Sequence, residues 1–243
     1  MGYNVVQVQR SPPSRFEITG ENSMLDTAKV KRILKERGID LQTLDELIVV
    51  YDMDDTLWNL NEKACEMAGI DYDKIQHYSL SDNTLLTSEE KHKLKDLYSS
   101  VDLWRGMKWV RGARKIHEIE SLSLETRNNK AVIKVLINSH CNNQDVADFK
   151  RTFVGKDLKL PEEQVVLNVA NNHKTKKELP PNTLIFVDDS PFNLQSSTAL
   201  FTIISDKPWN KEIEESDTII RCSGMNEIRK TVEEIVTCIL QLI

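Results

Sequence analysis

The chain has 243 residues, which suits one α/β domain with a modest insertion, and its formal net charge is −6 with scattered basic residues. That balance argues against a nucleic-acid polymer as the main partner and allows a small anionic substrate. The four cysteines show neither zinc spacing nor a disulfide-rich pattern, which favours a reducing compartment. Since no signal peptide or membrane-spanning run is visible, we expect a cytoplasmic protein without a membrane partner.

The first 44 residues carry no pattern of reactive side chains and are predicted to form a separate N-terminal extension. A Ser/Pro-rich stretch at residues 11–14 is typical of a flexible arm. The apolar periodicity over residues 25–37, followed by Gly38, predicts a helix that ends there. The pattern leaves open whether this extension packs on the core, and it indicates no function for it.

The first informative pattern is an apolar run at residues 48–51, which predicts a buried strand and ends in Asp52 and Asp54. Because side chains alternate along a strand, these two carboxylates point to the same side, about 6–7 Å apart. They repel each other and cost desolvation energy, so a divalent cation is the natural compensation. A solvated acidic turn is the alternative for this segment alone. A calcium loop of the EF-hand type is excluded, because Leu57 would stand where that loop needs Gly.

A largely polar segment of about fifty residues lies between Trp58 and Trp109, directly after the acidic strand. Residues 60–67 predict a helix, and Thr87 opens a capping box for a second helix up to about Tyr98. Several aromatic side chains of this region could stack on a planar ligand, although each one is more simply explained as core packing. They are Trp58, Tyr72, Tyr78, Trp104 and Trp109.

A second apolar run, at residues 131–137, predicts a strand between helices at 110–122 and 144–153. The run ends in polar residues, and a hydroxyl beside backbone N–H groups at a strand end suits a phosphate oxygen. Ser and Asn are also ordinary turn residues, so this signal is weak by itself. The residues concerned are Asn138, Ser139 and His140.

A basic stretch at residues 171–177 precedes a third apolar run, which ends in Asp188 and Asp189. Alone, the basic stretch is more simply a solvated surface. A helix is predicted to begin behind the two acids, and it needs only one capping acid, so a tandem pair exceeds that need. Further along, residues 218–220 predict a short strand, and residues 225–242 predict an amphipathic helix that packs on the sheet.

This order of motifs, over residues 48–210, resembles the haloacid-dehalogenase superfamily of aspartate-based phosphotransferases. The match consists of the Asp-x-Asp-x-Thr signature, a serine after the second strand, a lysine from the basic stretch and a final acidic pair. These are Asp52, Asp54, Thr56, Ser139, Lys174 or Lys176, Asp188 and Asp189.

The resemblance implies the fold class and the domain organisation. It implies an α/β protein with a doubly wound, Rossmann-like parallel sheet whose site lies at the carboxyl ends of the strands. It also implies that the insertion is a small helical cap that excludes water and selects the leaving group. The expected organisation is an extension at 1–44, a core at 45–59 with 108–243, and a cap at 60–107.

The resemblance also implies roles for the motif residues. Asp52 would attack phosphorus and form an aspartyl-phosphate, and Asp54 would act as general acid and then general base. Mg²⁺ would be held by Asp52, the backbone carbonyl of Asp54 and Asp188, with Asp189 in support. Ser139 and a lysine would hold the phosphoryl oxygens, with Lys174 preferred over Lys176 because it leads the basic stretch. Further substrate contacts are expected at Thr56, Trp58, Asn138, His140 and Lys176.

A closer resemblance is to the 5′(3′)-deoxyribonucleotidases of that superfamily. It rests on Asp52-Met53-Asp54 followed by the insertion, on Gly112-Ala113, and on the segment 205–210 behind the acidic pair. This chain departs from their pattern at three positions, where the nucleotidases usually have Gly, an aromatic residue and Pro. The departures are Asp55, Leu60 and Arg111.

The function implied is a Mg²⁺-dependent phosphomonoesterase that acts on 5′-(deoxy)nucleoside monophosphates. An alternative is a phosphatase of the same superfamily for another small phosphate ester or a phosphoprotein. The magnesium-dependent capless phosphatases share the Asp-x-Asp-x-Thr-Leu-Trp sequence, but the long insertion counts against them. A second alternative is a catalytically silent binding module, which would have no need of a complete set of motif residues. The sequence does not predict the oligomeric state.

Overall fold

Six strands form one parallel sheet in the computed structural model, which describes residues 26–43, 45–125, 132–169 and 179–243. Their order across the sheet is β3-β2-β1-β4-β5-β6, and every neighbouring pair is parallel. The strands are β1 (Glu46–Asp52), β2 (Val132–Cys141), β3 (Val165–Val169), β4 (Thr183–Asp188), β5 (Phe201–Ser205) and β6 (Ile219–Cys222).

Helices connect the strands and cover the sheet. They are α1 (Thr27–Glu36), α2 (Leu60–Ala68), α3 (Ser88–Tyr98), α4 (Val101–Arg105), α5 (Glu118–Glu125), α6 (Gln144–Leu158), α7 (Pro191–Gln195) and α8 (Met225–Leu240). Because strand order reverses between β1 and β4, the sheet is doubly wound, and the predicted α/β fold class is confirmed.

Apolar side chains explain both the central strand and the helix that covers the sheet edge. In β1, residues 47–52 are all buried, which is the continuous pattern of a parallel strand covered on both faces. The apolar face predicted for α8 is buried, and this helix contacts β5, β6, α1 and α5. Its core residues are Ile228, Val232, Ile235 and Ile239.

Between β1 and Trp109, the chain forms the three helices α2, α3 and α4, which contact one another. Gly69 ends α2 at a φ of 68°, and Thr87 caps α3 through the predicted capping box with Glu90. These helices occupy most of the segment predicted as a cap, 60–107. The proposed domain boundaries themselves stay a prediction.

The helix predicted over residues 110–122 is wrong at its beginning. Gly112 takes a φ of 96°, so the backbone turns there and only a 3-10 turn follows, before α5 begins at Glu118. The helix predicted at 144–153 extends as α6 to Leu158, where Lys159 adopts the left-handed conformation. The prediction also missed β3 and β5, which are short strands of five residues each.

Two further observations concern the cysteines and the lengths of the helices. Cys65, Cys141, Cys222 and Cys238 are all free thiols, so no disulfide contributes to the fold. In the part of the chain that the structure describes, no helix combines the length and apolar content needed to cross a bilayer.

Candidate active site

The carboxyl ends of three strands meet at one edge of the sheet, because β1 lies between β2 and β4. Asp52 is the last residue of β1 and stands opposite Asn138 of β2. Asp188 is the last residue of β4, on the other side. Strand order reverses at this point, which is where open parallel sheets bind ligands. The topology therefore brings together acids that lie far apart in the sequence.

Asp52, Asp188 and Asp189 form an acidic cluster in which each residue offers a carboxylate oxygen within 4.8 Å of the others. All three side chains are buried, with at most 3% of their surface exposed. Buried carboxylates at this separation oppose one another's ionisation, and carboxylate oxygens are the ligands that hard divalent cations prefer. The cluster could therefore hold a metal ion. The Asp54 carboxyl group is not a member of this cluster, and the predicted metal contact through the Asp54 backbone carbonyl stays a prediction.

Neutral donors fix the orientation of the last two acids. The backbone N–H of Ser190 and the amide of Asn193 donate to Asp188 at 2.7 and 3.0 Å. The indole N–H of Trp209 donates to Asp189 at 2.9 Å. Asn210 donates to the Asp189 carbonyl, also at 2.9 Å. The segment 205–210, quoted above for its resemblance, thus braces Asp189.

A lysine that the sequence did not point to lies beside the acidic cluster. The Lys150 ammonium donates to both carboxylate oxygens of Asp54, at 3.0 and 2.7 Å, and to Ser139 Oγ at 2.9 Å. Ser139 Oγ in turn donates to Asp54 Oδ2 at 3.1 Å. We call Asp54, Ser139 and Lys150 the lysine cluster. It joins the predicted acid/base residue to the predicted phosphate-binding hydroxyl.

Lys150 is fully buried, whereas the Asp54 side chain retains 17% of its exposure. The Lys150 ammonium lies 3.8 Å from the ring centroid of Trp104 and donates to the His140 carbonyl at 3.1 Å. A buried ammonium needs such partners, because an unpaired charge would be strongly destabilising. One signal in the sequence could have found it. Lys150 falls on the buried stripe of α6 with Val146, Ala147, Val154 and Leu158.

The structure describes four further residues that the sequence predicted as substrate contacts, and each of them has a different environment. Thr56 is buried, and its hydroxyl has no hydrogen-bond partner among the described residues. Trp58 is fully buried against Trp104 and Trp109, so no ring face is open to a ligand. Asn138 accepts a 2.7 Å hydrogen bond from Asn168 of β3, and His140 is half-buried. Lys174 and Lys176 lie outside the described residues, so their roles stay predictions.

Asp55 ties the loop that follows β1 to helices α2 and α3. Its carboxylate accepts the backbone N–H of Asn61 at 2.9 Å and the Asn61 amide at 2.7 Å, and Asn61 accepts a hydrogen bond from the Tyr98 hydroxyl. Asn61 belongs to α2 and Tyr98 to α3. Burial raises the pKa of the Asp55 carboxyl to about 7, against the opposing effects of Lys207 and Asn61. This chain of contacts links one loop residue to two helices.

Asp55 also holds an unusual backbone conformation, with a φ of 58°. Residues other than Gly rarely adopt this region, although Asp and Asn tolerate it better than most.

The end of α3 also contacts the loop that follows β2. Asn142 and Asn143 donate to the carbonyls of Tyr98 and Ser99 at 3.2 and 2.8 Å. The end of α3 is therefore attached to the loops that follow both β1 and β2.

No protein-family model matches the chain, and no curated protein matches it either. Among solved structures, it is similar to a protein provisionally named β-phosphoglucomutase from Bacteroides vulgatus, with 11% identity and a TM-score of 0.49 over 88% of this chain and 98% of that one. A haloacid-dehalogenase-like family hydrolase from Xanthomonas campestris has 12% identity and a TM-score of 0.43, over 83% and 96%. A haloacid-dehalogenase-superfamily hydrolase from Geobacter sulfurreducens has 13% and 0.38, over 78% and 98%.

Proposed function

We propose that this protein is a divalent-cation-dependent phosphomonoesterase with Asp52 as nucleophile. The observation that carries the proposal is the position of the acidic cluster beside the lysine cluster, at the switch point of the sheet. One cluster supplies a nucleophile and cation ligands, and the other supplies an acid/base group, a hydroxyl and a positive charge. Few tasks other than phosphoryl transfer use all of these groups together.

In the first step, a carboxylate oxygen of Asp52 attacks phosphorus, and the bond from phosphorus to the ester oxygen breaks. Asp54, when its carboxyl carries a proton, gives that proton to the departing alcohol. In the second step, Asp54 takes a proton from water, the water oxygen attacks phosphorus, and the bond to Asp52 breaks. Phosphate leaves and both carboxyl groups return to their starting state.

The lysine cluster supports this division of labour. Asp54 lies in a fixed orientation because Lys150 contacts both of its oxygens and Ser139 contacts one. The Ser139 hydroxyl is free to turn from Asp54 towards a phosphoryl oxygen, since a hydroxyl rotates at little cost. The Lys150 charge, held away from water, favours the negative charge that gathers on the transferring group. We assign Lys150 this role in addition to the predicted Lys174.

The metal proposed is Mg²⁺. The fit rests on the donor set, since three buried carboxylates with oxygens within 4.8 Å offer hard oxygen ligands and excess negative charge. When bound, the ion would offset that charge so that an anionic nucleophile can meet an anionic substrate. Asp52 and Asp188 would hold it directly, and Asp189, braced by Trp209, would support it.

The substrate proposed is a 5′-nucleoside monophosphate, with a deoxyribonucleotide as the first choice. Support comes from the resemblance of 205–210 to the deoxyribonucleotidases and from the structural use of that segment, since Trp209 and Asn210 both hold Asp189. The helices attached at Asp55 support an enclosed site. Tyr72, half-buried in this helical segment, is an aromatic side chain available for a base.

The test is phosphate release from a panel of 5′-deoxyribonucleotides, ribonucleotides, sugar phosphates and an aryl phosphate. Each is measured with Mg²⁺ and with chelator, on the wild type, on Asp52→Asn and on Asp96→Asn. Asp96 is an exposed acid of α3 and matches the charge change. We expect Mg²⁺-dependent release that Asp52→Asn abolishes and Asp96→Asn retains.

Two outcomes would overturn parts of the proposal. A sugar phosphate or a phosphoprotein as best substrate would refute the nucleotide specificity and retain the mechanism. Absence of release from every substrate, with folded and metal-supplied protein, would favour the binding-module alternative.

A further inference from the structure

A groove separate from the acidic and lysine clusters lies between the segment 107–115 and helix α6. Its volume is about 420 Å³, and it is formed by this one continuous segment together with Phe153. None of the site residues that the structure describes lines it. The size falls within the range of cavities that hold small organic ligands.

The groove is strongly basic in an acidic protein. Four of its lining residues are exposed cations, while the whole chain has a net charge of −6. A local excess of one charge in a concavity attracts small ions of the opposite sign. The cations are Lys108, Arg111, Arg114 and Lys115.

Asp157 at the rim of the groove holds two lining side chains in place but pairs with only one of the four cations. Asp157 accepts from the Arg114 guanidinium at 2.9 Å and from the Trp109 indole at 2.8 Å. Within the described part of the chain, Arg111 and Lys115 form no ion pair, while Lys108 interacts electrostatically with Glu66, whose carboxylate pairs with Lys63. The groove therefore presents more positive charge than the neighbouring acid neutralises, and phosphate is an anion that such clusters bind.

Aromatic rings line the same groove. Phe153 has 37% of its surface exposed, and Trp109 is half-buried. Exposed rings next to cations are suited to planar, electron-rich heterocycles, which stack on them. A ligand that joins a planar ring to a phosphate would use both features.

Buried Trp58 separates the groove from the lysine cluster. Its ring centroid lies 4.9 Å from Trp109 and 6.3 Å from Phe153 on the groove side. It also lies 6.1 Å from Trp104, whose ring carries the Lys150 ammonium. A ligand in the groove would thus be held apart from Asp54 by a layer of packed rings.

We propose that this groove is a second, non-catalytic site that binds a nucleoside phosphate. The phosphate contacts Arg111 and Lys115, and the base stacks on Phe153. The site does not depend on the phosphatase activity proposed above, so either assignment can fail while the other holds.

The test is calorimetric titration of adenosine 5′-monophosphate into full-length Asp52→Asn protein with chelator. This variant has no nucleophile, and without a cation the acidic cluster repels phosphate. We expect saturable binding of one nucleotide per chain. Adenosine and inorganic phosphate, which each offer half of the contacts, should bind at least about tenfold more weakly.

Paired substitutions localise the binding. Arg111→Gln with Lys115→Gln should weaken nucleotide binding by at least about tenfold. Lys31→Gln with Lys35→Gln, two exposed lysines of α1, makes the same charge change and should leave binding unchanged. Phe153→Leu keeps all four cations and should weaken the nucleotide but not inorganic phosphate. Near-UV circular dichroism checks that each variant remains folded.

Equal affinity of the groove variant and the α1 control would overturn the proposal, because the nucleotide would then bind elsewhere. Lack of saturable binding would do the same. Inorganic phosphate binding as tightly as the nucleotide would refute the stacking contact. Tighter binding of a single-stranded oligonucleotide, with the same dependence on Arg111 and Lys115, would make the groove a polymer site and overturn the small-molecule assignment.

Discussion

The acidic cluster and the lysine cluster lie side by side, yet their carboxylates have different kinds of hydrogen-bond donor. Asp188 and Asp189 accept hydrogen bonds from neutral groups, whereas Asp54 is paired with the ammonium of Lys150. Neutral donors orient a carboxylate and leave its charge in place, while an ammonium offsets it. The two clusters therefore differ in the donors described here: neutral groups orient Asp188 and Asp189, and an internal ammonium orients Asp54.

Removal of the internal cation should have the largest effect. In Lys150→Met, Asp54 loses its charged partner, so we expect the free energy of unfolding to fall by roughly 3 kcal/mol. Phosphate release should fall by about 10²-fold or more. Denaturant unfolding and initial rates measure the two effects.

The control for that variant is Lys150→Met combined with Asp54→Asn. This pair leaves no unpaired charge and should recover much of the lost stability, but none of the activity. If Lys150→Met alone is as stable as the wild type, the ion pair does not stabilise the fold.

Metal addition should act on the other cluster alone. Saturation with Mg²⁺ should stabilise the wild type by about 2.7 kcal/mol at a free concentration of ~100 times Kd. Asp188→Asn should abolish this shift in Tm, while Lys150→Met should retain it, since Lys150 is not one of the three residues that would hold the ion. Loss of the shift in both variants would contradict the separation of the two clusters.

Substitution of a neutral donor should have a milder effect. Trp209→Phe removes the hydrogen bond to Asp189 and leaves a similar ring, so we expect Mg²⁺ affinity to fall by roughly tenfold. The stability of the metal-free protein should change by only about 1 kcal/mol. Calorimetric titration measures the Mg²⁺ affinity. An unchanged affinity would show that the hydrogen bond from Trp209 to Asp189 does not contribute to metal binding.

The smallest effect is expected at Asp55. Asp55→Gly relieves the positive φ but removes two acceptors from Asn61, and the net change in stability should be about 1 kcal/mol. Cleavage by a protease within residues 60–107 should nevertheless become faster. Asp55→Asn keeps one acceptor oxygen and the tolerated φ, so its cleavage rate should fall between those of the wild type and Asp55→Gly.

Much of the sheet was predictable, because its central strands are continuous apolar runs that end in polar residues. Asp52 and Asp188 end β1 and β4 as the sequence predicts, and parallel strands bring such ends to one edge. The edge strand β3 was missed because it has only five residues and includes Asn168, and so short an apolar run does not distinguish a strand from other structures. The central strands therefore followed from their apolar runs, whereas the doubly wound arrangement was an implication of the family resemblance.

The lysine cluster was harder to predict. A lysine within a helix is expected in solvent, and only the three-dimensional path of α6 brings Lys150 under Asp54. The helix was also predicted to end at Phe153, which shortened the apolar stripe that marks Lys150 as buried. Contacts between side chains 96 positions apart, as here, leave no local pattern in the sequence.

The contact of Asp55 with Asn61, which itself accepts from Tyr98, bears on how this protein could be recombined. A graft of residues 60–107 onto another sheet of this kind would bring the backbone and amide donors of Asn61 but not their acceptor, since residue 55 belongs to the recipient. A recipient with Gly at that position would carry the helices untethered. The insertion and the loop after β1 therefore form one structural unit. A chimera that is meant to exchange substrate preference should have its first boundary before Asp55.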